Sequence, residues 1–113
     1  MSKPEQFDID ITQGEDFELE LTFDEDGVPF DITAYEFWGQ LRSTASSPDK
    51  LADFDFAVVA GTNNKLIVRL VDTVTAPLPA GRIVFDFWQR DTNNLDSPIG
   101  GGVANIYARV TRP

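Results

Sequence analysis

The chain predicts an all-β fold, an antiparallel β-sandwich of seven or eight short strands with an immunoglobulin-like layout. Three observations carry this expectation. Apolar side chains recur at every second position in run after run, turn signals interrupt the runs every ~8–12 residues, and no amphipathic helix of useful length is present. A small closed barrel is the main rival architecture.

The runs follow one another along the chain. Phe7, Ile9 and Ile11 alternate with Asp8, Asp10 and Thr12, and Phe17, Leu19, Leu21 and Phe23 alternate with Glu18, Glu20 and Thr22. Successive strand side chains point to opposite faces, so each run has one apolar and one solvated face. Gln13-Gly14-Glu15 reads as a tight connection, and Asp24-Glu25-Asp26-Gly27 as a turn. Val28, Phe30 and Ile32 come next, with Pro29 confining that segment to a sheet edge or an extended connection. Phe37, Gly39 and Leu41 point inward against Trp38, Gln40 and Arg42, ahead of a polar loop over 43–50. Ala52, Phe54, Phe56 and Val58 form one further run, and Leu66, Val68 and Leu70 another. The segment 72–81 allows one helical turn after Asp72, with Leu78 plugging an end of the core; Pro77 and Pro79 prevent anything longer. Ile83, Phe85 and Phe87 face inward against Val84, Asp86 and Trp88. A long hairpin tip is expected over 90–98, and a last strand from about Gly102 to Val110, weakened at its start by Gly100-Gly101-Gly102.

With 113 residues the chain fits a single domain, 1–113, in which 1–6 and 111–113 are expected to be loose arms. A domain of this size buries roughly 65% of its unfolded surface, and nine Phe, two Trp and two Tyr supply bulky core material. Cysteine and histidine are both absent, which removes any disulfide framework, the usual zinc, copper and haem ligands, the commonest general base and the best thiol nucleophile. No cofactor or metal is expected. The net charge of −10 opposes nucleic-acid backbones and anionic membranes, so neither is an expected partner. The opening residues show no basic region followed by an apolar stretch, so no signal peptide is expected. No apolar run approaches the ~20 residues of a membrane-spanning helix.

Asp24-Glu25-Asp26-Gly27 superficially looks like a calcium loop, but Thr22 and Thr33 occupy positions where that pattern needs acidic or amide ligands, so a hairpin turn is expected. Acid pairs suited to glycoside hydrolysis need a cleft, whereas nearly all acids here fall on the solvated parity of strands, so neither a catalytic residue nor a small-molecule substrate is expected. Asp8 and Asp10 share one face, as do Glu18 and Glu20. If their strands paired as a hairpin, like charges would align and destabilise it. The strands must then join different sheets, be screened by cations, or be covered by a basic partner. Trp38 and Trp88 fall on the polar parity of their strands, which makes them interface anchors unless a bulge turns one inward. The segment 108–113, with Arg109 and Arg112, is locally basic in an acidic chain and suits the acidic face of a neighbouring copy.

The runs Ile11-Thr12-Gln13-Gly14-Glu15-Asp16-Phe17-Glu18-Leu19, Asp26-Gly27-Val28-Pro29-Phe30-Asp31-Ile32-Thr33-Ala34-Tyr35, Leu78-Pro79-Ala80-Gly81-Arg82 and Ala108-Arg109-Val110-Thr111-Arg112 occur in this order over most of the chain. Together they resemble small immunoglobulin-like structural proteins of tailed bacteriophages, including the N-terminal domains of upper baseplate proteins. Gly100-Gly101-Gly102 departs from the ending expected of such proteins. The resemblance implies a non-enzymatic virion component of the tail, baseplate or head–tail region, made in the host cytoplasm, whose partners are other virion proteins or copies of itself. A carbohydrate- or receptor-binding module, stacking its ligand on Trp38 or Trp88, is the alternative.

Overall fold

Alternating apolar positions build two facing sheets, with the inward side chains of both filling the space between them. The computed structural model describes residues 5–111. In chain order the elements are β1 (Glu5–Gln6), β2 (Ile9–Thr12), β3 (Phe17–Thr22), β4 (Asp24–Glu25), β5 (Val28–Pro29), β6 (Glu36–Arg42), β7 (Lys50–Asp53), β8 (Asp55–Val58), β9 (Lys65–Leu70), α1 (Asp72–Thr75), β10 (Gly81–Arg90) and β11 (Asp96–Tyr107). The large sheet runs β1-β11-β10-β6-β7, with β2 also on β11; the small sheet runs β3-β9-β8, and β4 pairs with β5. This division, the closing pair β10–β11 with β6 in one sheet and β3 with β9 in the other, is the strand order of an immunoglobulin-type sandwich.

The sandwich expected from the sequence is present, with two corrections. The described residues form eleven strands rather than seven or eight, because several runs are split and a short hairpin is added. The pairing is also not wholly antiparallel, since β1 and β2 both run parallel to β11. The single run predicted over 52–58 divides at Phe54. Its first part, β7, pairs with β6, and its second part, β8, pairs with β9, so the chain crosses between sheets at a buried ring. The helical turn expected after Asp72 is α1, and Leu78 is buried beyond it. Buried Thr75 ties this end of the sandwich together, its hydroxyl donating to the Glu15 carbonyl and accepting from the Gly14 amide.

The hairpin tip is shorter than expected. Asp96 and Ser97 already belong to β11, which starts six residues before Gly102 and ends at Tyr107 rather than Val110. The Asp91 carboxylate accepts from the Asn93 and Leu95 amides and folds the connection into a tight turn. Of the expected arm 1–6, Glu5 and Gln6 instead pair with Gly100 and Gly101. Residues 1–4 and 112–113 lie outside the described residues.

The glycine run that was expected to weaken β11 lets the N-terminal segment approach closely. A Cβ at Gly102 would overlap the Phe7 carbonyl oxygen, and one at Gly100 would stand 2.9 Å from the Phe7 ring. Phe7 lies against the core, its ring 5.4 Å from that of Phe85 and 6.2 Å from that of Phe87. The ring thus covers the side that the glycines leave bare, an aromatic packed over glycine on a sheet.

All nine Phe belong to one web of ring contacts, reaching from Phe7 through Phe85, Phe87 and Phe56 to Phe37, with Phe54 and Phe17 to one side and Tyr35, Phe30 and Phe23 at the far end. Phe87 sits at its centre, fully buried, with a perpendicular contact to Phe54 at 5.0 Å. Edge-to-face pairs of this kind add to the energy of apolar burial.

Candidate docking face

The central strands of the large sheet are β6 and β10, and their register places Trp38 directly opposite Trp88. The inward set on these strands is Gly39, Leu41, Ile83, Phe85 and Phe87, all buried. The alternate residues, Trp38, Gln40, Arg42, Val84, Asp86, Trp88 and Arg90, therefore cover the outer face. A bulge does occur beside Trp88, but it belongs to β11: Phe87 pairs with Gly100 and Trp88 with Pro98, which leaves Ile99 as the extra residue. Parity along β10 is kept, and both indoles stay on the outer face, half-buried.

Between them lies a groove of about 320 Å3, lined by Trp38, Gln40, Arg42, Val84, Asp86 and Trp88, with Ala45 contributed by the loop after β6. Its polar groups are held in place. The Trp88 indole N–H donates to Asp86 at 3.0 Å, and Arg42 donates to the Gln40 side chain at 2.8 Å and to the Ser47 carbonyl at 2.9 Å. The Arg90 guanidinium lies 5.3 Å from the centre of the Trp38 ring and makes ion pairs with Asp96 at 2.7 Å and Glu36 at 3.6 Å. The hydrogen bond from Arg90 holds Asp96 below the usual carboxylate range, and the same bond, followed by the charge of Asp96, raises Arg90 above its ordinary value.

The other residues singled out in the sequence do not gather here. Asp10 is on the outer face of the same sheet but at its β2 edge, accepting from Asn105 at 3.1 Å and from the Tyr107 hydroxyl at 3.4 Å. Asp8 is exposed in the break between β1 and β2. Glu18 and Glu20 are on the other sheet, where Glu18 pairs with Arg69 at 2.9 Å and Glu20 with Lys65 at 4.0 Å. Asp10 and the pair Glu18 and Glu20 thus lie on opposite sides of the sandwich. Repulsion is avoided by the first of the three routes, because β2 joins the large sheet and β3 the small one. Arg109 lies past the end of β11, bonded to the Thr111 and Gly14 carbonyls, and Arg112 falls outside the described residues. Among the described residues no three His, Cys, Asp or Glu side chains are grouped to hold a metal ion.

Gln40, Arg42, Asp86 and Arg90 were not singled out beforehand as site residues, although they share the parity of Trp38 and Trp88 and were legible on that ground. Ala45 carries no such signal, since its place depends on how the loop folds back. No protein-family model matches the chain, and no curated protein matches it.

Proposed function

We propose that this chain is a non-enzymatic structural component of a tailed-phage virion, in the tail, baseplate or head–tail region, and that it docks a neighbouring protein on the outer face of its large sheet. The observation that carries the docking reading is the register pair Trp38–Trp88, half-buried around one groove and flanked by Arg42 and Arg90. Tryptophan and arginine are the residue types over-represented among interface residues that cost most to truncate. Packed indoles and paired guanidinium groups are also ordered before binding, which lowers the entropy cost of association. The virion assignment is supported by the sequence resemblance, and the strongly acidic composition favours a soluble subunit before assembly.

The test is incorporation. In a host carrying the assembling particle, wild-type chain co-purifies with particles at one fixed stoichiometry, and the double variant Trp38→Ala/Trp88→Ala folds but is left behind. Equal incorporation of the double variant would remove the docking face. Absence of the wild-type chain from particles would remove the virion role.

A second reading, a carbohydrate-binding module, is favoured by one observation: amide, guanidinium and carboxylate groups of Gln40, Arg42 and Asp86 surround the two indoles, as a sugar-stacking site requires. Glycan-array binding that is lost on Trp38→Ala would select it.

A further inference from the structure

The end of the sandwich away from α1 is open between the sheets. There a cleft of about 530 Å3 is lined by the apolar Leu21, Phe23 and Ile99 and by the acidic Glu5, Asp24 and Glu25. Among the described residues none of these three carboxylates is in an ion pair. One wall of the cleft is the end of β3, which among the described residues is an edge strand paired only with β9. The Phe23 amide continues that pairing by donating to the Asn64 carbonyl at 2.8 Å. Antiparallel pairing alternates, so the backbone groups of Glu18, Glu20 and Thr22 point away from β9 toward the open edge. The apolar side of this edge is also unfinished. Leu66, Val68 and Leu70 on β9 are buried, whereas Phe17, Leu19 and Leu21 on β3 are only half-buried. Free backbone groups, bare apolar side chains and an acidic lining together describe a seat for an extended segment that is apolar and basic.

The chain carries such a segment at its opposite end. After β11 it runs Ala108-Arg109-Val110-Thr111-Arg112, and Val110 is 90% exposed. Arg109 donates to the Thr111 carbonyl at 2.6 Å and to the Gly14 carbonyl at 3.4 Å, which fixes the direction in which the segment leaves the domain. From strand directions, the tail emerges where β11 ends, beside the β2–β3 connection, while the cleft lies where β11 begins and β3 ends. Tail and cleft are thus at opposite ends.

We infer that the segment following β11 of one copy docks as an added strand on the β3 edge of the next copy, with Val110 on the apolar side of that edge and the basic end of the segment beyond it toward Glu5, Asp24 and Glu25. The contact joins unlike surfaces, so it propagates head to tail and leaves an unused cleft and an unused tail until a ring closes. It uses a different surface from the Trp38–Trp88 face and does not depend on it.

Sedimentation velocity of the full chain tests this. Wild type is expected to associate as concentration rises, and less so at high salt. Val110→Asp and, separately, Asp24→Lys/Glu25→Lys each weaken association about tenfold or more. All of these positions are exposed, and circular dichroism checks that each variant folds. An equimolar mixture of the two variants, one with an intact cleft and the other with an intact tail, restores a dimer that grows no further. A wild type that remains monomeric, variants that associate like wild type, or a mixture that yields no dimer would each overturn the inference. Trp38→Ala/Trp88→Ala associates like wild type, which separates this contact from the docking face.

Discussion

On the small sheet, Glu18 and Glu20 stand outward beside Arg69 and Lys65, each side chain about half exposed. On the large sheet, the same strand parity carries Trp38 and Trp88, packed across two central strands and framed by Arg42, Asp86 and Arg90. Both faces arise from one alternating pattern over one core, yet they suit different work. Exposed ion pairs keep their water, contribute little to stability and keep a surface soluble. Half-buried indoles gain when a partner removes the water that remains on them. On the docking proposal, what separates a merely solvated surface from one suited to a partner is the identity of the outward residues, since the alternation is common to both.

Both faces rest on shared rings, so a substitution in the core undermines them together. Phe87→Ala removes the central contact of the aromatic web and should cost about 3–5 kcal/mol, read as a lower denaturant midpoint at unchanged slope. A loss below about 1 kcal/mol would show that the two sheets do not share this core. Gly102→Ala attacks only the large sheet, where the new methyl meets the Phe7 backbone. It should cost about 1–3 kcal/mol and expose the β1–β2 edge to hydrogen exchange before β3 and β9. Glu18→Gln sharpens the contrast from the other side, since losing one exposed pair should change stability by no more than about 0.5 kcal/mol and leave particle incorporation intact. The smallest effect is expected at Asp96. Its folded pKa is depressed, so its contribution is fully present above the unfolded value of about 3.9 and fades as pH falls through the folded one. The stability difference between wild type and Asp96→Asn should accordingly shrink on acidification. A difference that stays constant with pH would remove the Arg90–Asp96 pair from the frame of the groove.

Most of the architecture was legible in the sequence because burial on one side of a sheet enforces period two. Ile83, Phe85 and Phe87, for example, were placed inward by alternation alone and are buried. Parity put Trp38 and Trp88 outward unless a bulge turned one of them into the core, and the bulge is on the neighbouring strand. Pairing was harder to read. Alternation gives the face of a residue but not its neighbour, so it could not reveal that Trp38 and Trp88 stand opposite each other or that β2 and β3 part into different sheets. The crossing at Phe54 was hidden because Ala52, Phe54, Phe56 and Val58 keep their inward direction through the change of sheet. Gly100-Gly101-Gly102 looked like a weak start to a strand, since the sequence near it gives no hint that Phe7, far away in the chain, crosses there.

Oxidative footprinting of the chain, free and within purified particles, tests the docking face most directly, because it measures both outer faces at once. Labelling of Trp38 and Trp88 should fall sharply on assembly, while Ile67, outward on β9 between Arg69 and Lys65, keeps its free-state labelling. Tryptophans labelled equally in both states, or protection confined to the small sheet, would contradict the account.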